Sequence, residues 1–302
     1  MTILDDKLQE LKKQIFNHSN ESEGVTQTPL DNFFLFNSSQ GQARKHEVYQ
    51  AYLLILAQGE KHLHIGGKRY TFKEGDFLAV FMPMLLEAER AELTKENPYL
   101  MCCIQIDLVK IANLLLTIDS HNYLSNTDNK QKASAFHIGP MDEHLLDPVI
   151  RLLKTLNNPL DTEVLGKSII DEIYYRLLTD NNIGLGSLRR HLEQHGQIQE
   201  IARSVNHIQG NLDKNVTIEK LAQLSNMSVS GFHRTFKDVM HTTPIQYAKT
   251  LKLHRANALI KEGQTASEAS SFVGYNSAAQ FSREYKRFFG ITPLQTKRSV
   301  GY

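Results

Sequence analysis

The sequence predicts a two-domain α+β protein, with an N-terminal β-barrel or sandwich that is followed by helices and a C-terminal all-α domain. The chain has 302 residues, which suits two domains of roughly 100–200 residues each. Short apolar strands dominate the first part, and helical patterns dominate the rest. Charge also divides the chain, since residues 200–302 hold 14 basic and 7 acidic side chains whereas the remainder holds 20 and 26. A basic C-terminal third suggests a nucleic-acid-binding domain.

The composition excludes several classes of protein. Hydrophobic residues make up 41% and charged residues 22%, which is typical of globular rather than disordered chains. No apolar stretch approaches the ~18 residues of a membrane-spanning helix. The start MTILDDKLQELKKQIF lacks the features of a signal peptide, so we expect a cytoplasmic protein. The two cysteines, Cys102 and Cys103, are adjacent, which excludes a disulfide framework and a multi-cysteine zinc site.

The N-terminal strands are predicted over residues 31–106, after an amphipathic helix over 5–16. Their segments are DNFFLFN, VYQAYLLILAQ, HLHI, RYTF, DFLAVF and YLMCCIQIDL. Turn signals such as Gly66-Gly67 separate them. Many short strands with close turns are typical of a small barrel or sandwich.

Helical periodicity begins near residue 107 and dominates after residue 142. Segments 143–156 and 162–179 each place apolar residues on one face. These faces would pack within the chain or against a partner subunit, and the sequence favours neither alternative. Another helix is predicted at about 187–210. We therefore expect one domain at 1–190 and a second at 195–302.

The last hundred residues contain an internal repeat. Residues 228–246 (SVSGFHRTFKDVMHTTPIQ) and 277–295 (SAAQFSREYKRFFGITPLQ) align with an offset of 49 and share 7 of 19 positions. Chance would match about one position, so the segments are two copies of one structural unit. Both end in Thr-Pro-hydrophobic-Gln, which is typical of a helix start with an N-cap threonine and proline at N1.

Each copy predicts two short helices joined by a tight turn. In the first copy, Thr217 caps a helix over 218–225 and Ser228 caps a second helix over 229–240. A connecting helix is predicted over 244–261.

The second copy follows the same plan. Thr265 and Glu268 have the spacing of a capping box for a helix to about Val273, and Ser277 caps a helix to about residue 289. A basic face on the second helix of each copy is typical of a helix-turn-helix motif.

Residues 200–298 resemble the DNA-binding domain of the AraC/XylS family of bacterial transcription regulators. The resemblance lies in TIEKLAQLSNMSVSGFHRTFKDVMHTTPIQYAKTLKLHRANALI and ASEASSFVGYNSAAQFSREYKRFFGITPLQ. The sequence departs from the family pattern at His241, where glycine is usual, and at Ser271, where alanine is usual. The segments YLLILAQGEKHLHIGGKRYTFKEGDFL and IIDEIYYRLL resemble one branch of the family, which implies a cupin-like N-terminal domain.

The resemblance implies a sequence-specific DNA-binding transcription regulator that a small-molecule effector controls. Residues 1–190 would bind the effector and dimerise, and residues 195–302 would bind DNA through motifs at about 217–240 and 265–289. The implied partners are double-stranded DNA, an unidentified small molecule, a second copy of the chain and RNA polymerase, with no membrane, metal or cofactor. We expect no enzyme activity.

The second helix of each motif would enter the major groove, with the two grooves about 34 Å apart. The residues expected at base edges are Ser230, His233, Arg234, Ala279, Ser282 and Arg283. The residues expected at phosphates or the groove wall are Ser228, Lys237, Asn276, Ser277 and Lys286. The alternative for the two arginines is a salt bridge within the domain. The aromatic residues expected in the core are Phe232, Phe236, Phe281 and Tyr285.

Two alternative functions remain open. His62 and His64 lie on one face of a predicted strand, as in the metal-binding pair of cupin enzymes, but the next acid, Glu74, follows a Gly-Gly turn. A metal-dependent cupin enzyme fused to a DNA-binding domain is therefore the alternative that a metal assay would test. An interaction protein without an effector is the other. Cys102 and Cys103 are predicted to be buried, with a redox or electrophile sensor as the alternative.

Overall fold

The structure is a computed structural model, and its description covers residues 2–19, 23–91, 93–107, 110–111, 113–114, 117–118, 135–179, 197–214 and 216–299. The main division between two compact units falls between Gly196 and Gln197. Most of the helix predicted from residue 107, and the part of the next predicted helix before residue 197, lie outside the described residues. Within the described part of the chain, no helix is both long enough and apolar enough to cross a membrane.

Ten described strands form two sheets in the N-terminal part of the chain. One sheet has six strands in the order β1-β2-β9-β4-β7-β10, and the other has four in the order β3-β8-β5-β6. The strands are β1 (Gly24–Gln27), β2 (Phe33–Ser38), β3 (Gln42–Tyr49), β4 (Tyr52–Gln58), β5 (Glu60–Ile65), β6 (Lys68–Lys73), β7 (Asp76–Val80), β8 (Met84–Arg90), β9 (Tyr99–Gln105) and β10 (Phe136–Pro140). The two-sheet architecture confirms the predicted fold class.

Three of these strands were absent from the sequence prediction, β1, β8 and β10, and of β3 only the last two residues fell within a predicted segment. Strand β8 reads Met-Leu-Leu-Glu-Ala-Glu-Arg, a composition that favours a helix when it is considered alone. Its residues nevertheless alternate between buried and half-buried positions, because the strand lies inside a sheet. Tertiary pairing therefore overrides local propensity here.

Among the described residues, three helices with full bounds accompany the sheets: α1 (Ile3–His18), α2 (Glu143–Thr155) and α3 (Pro159–Thr179). Thr2 and Asp5 form a capping box at the start of α1. Helix α1 packs against α2 and against the six-stranded sheet, and α2 packs against α3. Leu152 and Ile169 are 0% and 8% exposed, so these two side chains of the predicted apolar faces pack within the chain. Leu165 of the second predicted face is 47% exposed, so packing of that face against a partner subunit stays a prediction.

The adjacent cysteines lie on opposite faces of β9, and both are buried. Burial raises the pKa of the Cys102 thiol to about 12. Burial also raises the pKa of the Cys103 thiol well above its usual range. Because the reactive form of cysteine is the thiolate, this environment favours the predicted packing role over a sensor.

The C-terminal part of the chain is helical over its described residues. Its helices are α4 (Gln197–Gly210), α5 (Ile218–Leu224), α6 (Val229–Met240), α7 (Pro244–Lys261), α8 (Ala266–Phe272), α9 (Ala278–Phe289) and α10 (Pro293–Ser299). Helices α6 and α7 have the bounds that the sequence predicts, and α5 and α8 end one residue earlier. His241 ends α6 in the left-handed region at φ 57°, as Gly290 ends α9 at φ 75°. The departure from glycine at residue 241 therefore does not change how the helix ends.

Candidate DNA-binding surface

The first helix-turn-helix motif consists of α5, a tight turn and α6. The Thr217 hydroxyl accepts a hydrogen bond from the Lys220 backbone N–H (3.3 Å). Asn226 turns the chain with a left-handed φ of 51°, and the Met227 N–H then donates to the carbonyl of Ala222 (2.9 Å). These local bonds set the direction in which α6 leaves the turn.

The second motif consists of α8, a turn and α9. Thr265 and Glu268 form the predicted capping box. Gly274 takes the left-handed position at φ 73°, and the Tyr275 N–H donates to the carbonyl of Ser270 (3.0 Å). The two turns therefore close in the same way, although the second is one residue longer.

Aromatic side chains form the inner sides of the two motifs. In the first, the rings of Phe232 and Phe236 lie 5.5 Å apart, and Phe236 meets Tyr247 of α7 at 5.7 Å. In the second, Phe281 and Tyr285 lie 5.4 Å apart. All five side chains are at most 1% exposed, which confirms the predicted core.

Opposite this core, the second helix of each motif presents an exposed face. We call α6 and α9 the recognition helices. All the residues that the sequence analysis selects on them and at their starts are exposed: Ser228, Ser230, His233, Arg234, Lys237, Asn276, Ser277, Ala279, Ser282, Arg283 and Lys286. The hydroxyls of Ser228 and Ser277 accept hydrogen bonds from the backbone N–H of Gly231 (3.2 Å) and Gln280 (3.3 Å). These two serines therefore hold the helix starts.

The surroundings of Arg234 and Arg283 test the alternative that these arginines form salt bridges within the domain. Arg234 and Arg283 form no ion pair with any residue that the structure describes. Their guanidinium groups are thus available to hydrogen-bond acceptors outside the domain. This arrangement argues against a salt bridge of either arginine to the described residues of the domain.

Sequence reasoning missed an apolar part of the first motif. A groove between the starts of α5 and α6 is lined by Ile218, Glu219, Val229, Ser230, His233 and Arg234. Val229 is 45% exposed, and it lies outside the apolar pattern that packs α6 on its core. An exposed β-branched residue at the start of a recognition helix was the signal that could have identified it.

Glu284 lies on the side of α9 that contacts α7. The carboxylate of Glu284 lies 2.6 Å from Lys249 Nζ of α7 and accepts a hydrogen bond from the Tyr275 hydroxyl at 2.9 Å. Burial acts to raise the pKa of Glu284, but the hydrogen bonds from Lys249, Tyr275 and Gln280 outweigh it and lower the pKa. The ionised carboxylate therefore ties α9 to α7 and to its own turn.

The turn between α4 and α5 supports the second motif. A Cβ atom added at Gly274 would lie 2.1 Å from the carbonyl oxygen of Asp213. Lys252 of α7 also donates to the carbonyl of Lys214 (3.2 Å), and burial lowers the pKa of its ammonium group. The turn between α4 and α5 is thus in close contact with the turn of the second motif and with α7.

Among the described residues, no third metal ligand joins the histidine pair of β5. His62 Nε2 lies 3.0 Å from Glu60, and His64 Nε2 lies 3.0 Å from Glu89 of β8. The predicted neighbour Glu74 instead pairs with Lys12 of α1 at 2.6 Å. Within the described ranges, no group of three or more His, Cys, Asp or Glu side chains is arranged to hold a metal ion.

Comparison with known proteins agrees with this arrangement. The family model for the N-terminus of AraC-type transcriptional regulators matches residues 29–184. The chain belongs to the AraC/XylS family of transcriptional regulators. A helix-turn-helix domain model matches residues 221–299 of this regulator, which includes both recognition helices.

Relatives resemble the regulator over most of its length. An uncharacterised HTH-type transcriptional regulator of Haemophilus influenzae is 24% identical over 82% of this chain and 85% of its own. The lactose operon transcription activator of Staphylococcus xylosus is 23% identical over 82% of this chain and 84% of its own. Fatty-acid-bound ToxT from Vibrio cholerae shares the fold, with a TM-score of 0.52 at 10% identity over 89% of this chain and 96% of ToxT. The regulator is therefore a DNA-binding transcription regulator with the AraC-type two-domain fold.

Proposed function

We propose that the regulator binds its operator through both motifs of residues 195–302, and that an effector bound by residues 1–190 controls this binding. The observation that carries the DNA-binding site is the exposed face shared by the two recognition helices. Arg234 and Arg283 suit guanine edges, and Lys237 and Lys286 suit phosphates. We also propose that the regulator acts in the cytoplasm, contacts RNA polymerase and has no catalytic activity.

Operator selection tests the DNA-binding site. Full-length protein selects duplexes from a random library, and the affinity for the selected operator is measured at several salt concentrations. We expect the affinity to fall steeply with salt because lysine–phosphate contacts release counterions. A fragment of residues 195–302 should bind the same operator. An unfolded fragment, or binding that does not respond to salt, contradicts the proposal.

The effector part of the proposal draws on the two sheets and on the family. ToxT, which is similar in fold, has been solved with an unsaturated fatty acid bound. Effector control requires that the effector bind two states of the protein with different affinities. A coupling of ~1–3 kcal/mol would change operator affinity by ~5–150-fold. Operator titration with and without a bound small molecule measures this coupling.

A homodimer contact is proposed on the outer face of α3. Leu160, Val164 and Tyr175 lie on one stripe of this helix and are 65%, 61% and 41% exposed. A second copy of the chain would bury this stripe. Val164→Asp should shift the protein towards the monomer in sedimentation velocity, whereas Thr71→Asp, the same charge change on β6, should not. Unchanged sedimentation of Val164→Asp contradicts this contact.

A further inference from the structure

The apolar groove of the first motif lies where α5 and α6 begin. Ile218 is the first residue of α5 and Val229 is the first residue of α6, and both line the groove. Ile218 is half-buried, whereas Val229 is 45% exposed. Contact between an apolar side chain and water is unfavourable, so a partner that covers Val229 would gain binding energy from the contact.

The matched positions of the second motif carry smaller side chains. Ala266 is the first residue of α8, and Ala278 is the first residue of α9. The two motifs close their turns in the same way and bury the same pattern of aromatic residues. The larger apolar side chains of Ile218 and Val229 are therefore not needed to build such a motif, and they indicate a role at the surface of the first one.

The groove lies on the face of the first motif that carries the expected DNA contacts. Ser230, His233 and Arg234 also line it. Val229, His233 and Lys237 are spaced four residues apart, so they lie in one row along α6. In helix-turn-helix motifs, N-terminal residues of the second helix contact base edges in the major groove. Val229 therefore lies at the end of α6 that would approach the bases.

The chemistry of the groove discriminates among the groups that DNA displays. Glu219 lines the groove beside Ile218 and is exposed, and its carboxylate would repel a phosphate. All four bases present hydrogen-bonding groups in the major groove, and thymine also presents a methyl group. The side chains of Ile218 and Val229 offer neither a donor nor an acceptor, so they suit the methyl group. Charge and polarity thus both favour a thymine.

We infer that the groove holds the 5-methyl group of one operator thymine, with Val229 as the residue in contact and Ile218 as its apolar neighbour. This inference rests on the proposed operator binding through both motifs and adds a residue that determines its specificity. Arg234 lies five residues further along α6, a distance of about 7.5 Å on a helix. Successive base pairs are about 3.4 Å apart, so the thymine lies within about two base pairs of the position that Arg234 reads.

Replacement of thymine by uracil tests the inference, because the two bases differ only by the methyl group. Full-length protein is titrated with the operator that it selects from a random library, and each thymine is then replaced in turn by uracil. Arg234→Ala locates the base pair that Arg234 reads. Near that base pair, one uracil should weaken wild-type binding by about fourfold, which is the contribution of one buried methyl group.

The Val229→Ala variant should lose this sensitivity. It should bind the thymine operator about fourfold more weakly than the wild type does, and the same uracil should then weaken its binding by less than about 1.5-fold. Uracils at other positions should affect the variant and the wild type alike. Val25→Ala makes the same change at a valine of β1 that is 56% exposed, and it should keep the wild-type response at every thymine.

Two results would overturn the inference while leaving operator binding intact. One is a uracil response that is the same in the wild type and in Val229→Ala. The other is an unchanged affinity of Val229→Ala for the thymine operator, which would assign the groove to a protein partner instead. Failure to select any operator would count against the proposed function, and the inference would fall with it.

Discussion

The two helix-turn-helix motifs close their turns in the same way but are supported by different chemistry. Around the first motif, Ser204 of α4 donates to the carbonyl of Leu221 (3.0 Å), and Ser225 donates to the carbonyl of Glu200 (2.9 Å). These are neutral hydroxyl contacts in a buried position. The second motif is instead tied to α7 by the ion pair of Lys249 and Glu284. The contribution of these contacts to stability should therefore depend on pH in the second motif and not in the first.

The left-handed residue of each turn shows a second difference. Asn226 of the first turn is exposed, so its side chain is accommodated. Gly274 of the second turn faces the backbone of Asp213 without room for a Cβ atom. Asparagine and glycine thus meet the same backbone requirement, and packing decides which of them fits.

Replacing Gly274 should have the largest effect. Gly274→Asn introduces a residue that tolerates positive φ, so its destabilising effect should arise from the collision with Asp213. We expect the free energy of unfolding to fall by about 3 kcal/mol. Asn226→Gly is the control and should change stability by less than about 1 kcal/mol. Urea unfolding followed by circular dichroism measures both. Equal effects of the two substitutions would show that the close contact is unimportant.

The arginines at matched positions should read different parts of one operator. Arg234→Ala and Arg283→Ala should each cost about 1–3 kcal/mol of binding free energy and relax the preference at one base pair. The two affected base pairs should lie about 10 bp apart, because the recognition helices enter successive major grooves. Lys237→Ala should weaken all sequences alike. Competition with single-base operator variants distinguishes these outcomes, and a uniform loss for Arg234→Ala would reassign it to phosphate contact or structure.

The ion pair of the second motif can be tested by pH. Glu284→Gln should reduce the free energy of unfolding by about 1–2 kcal/mol at neutral pH. The folded-state pKa of Glu284 is lowered, so its stabilisation is present above the unfolded pKa and is lost as pH falls through the folded pKa. The difference between wild type and variant should therefore shrink in acid. Unfolding curves from pH 7 to pH 3 provide the measurement, and a difference that does not vary with pH would argue against the charge.

The smallest effect is expected where the two recognition helices end. His241→Gly should stabilise the protein by about 0.5 kcal/mol, since glycine adopts positive φ without the cost that a side chain brings. Gly290→Ala should destabilise it by about 1 kcal/mol, although an added Cβ there would meet no atom within 4 Å. Thermal unfolding of the two variants gives the comparison. A destabilised His241→Gly protein would mean that the histidine side chain stabilises this helix end.

Much of the DNA-binding domain could be predicted because its signals are local. The capping box of Thr265 and Glu268 and the Thr-Pro helix starts act over three or four residues, so they can be identified without knowing the fold. The repeat at offset 49 also placed the recognition helices, and the spacing of Phe232 and Phe236 separated their core from their exposed side. The extra residue in the second turn was also predicted, because the expected helix ends and capping serines leave residues 226–227 for the first turn and 274–276 for the second.

Tertiary structure alone decided the contacts that join distant segments. Leu152 packs inside the chain, His64 pairs with Glu89, and Gly274 lies against Asp213; none of these partners is determined by local spacing. Strand β8 likewise forms despite a helix-favouring composition, because its neighbours in the sheet supply hydrogen bonds and burial. The sequence by itself determined where helices begin and end and which of their faces are apolar. The fold determined which of those faces are covered and which charged groups are buried, because both depend on residues that are distant in the chain.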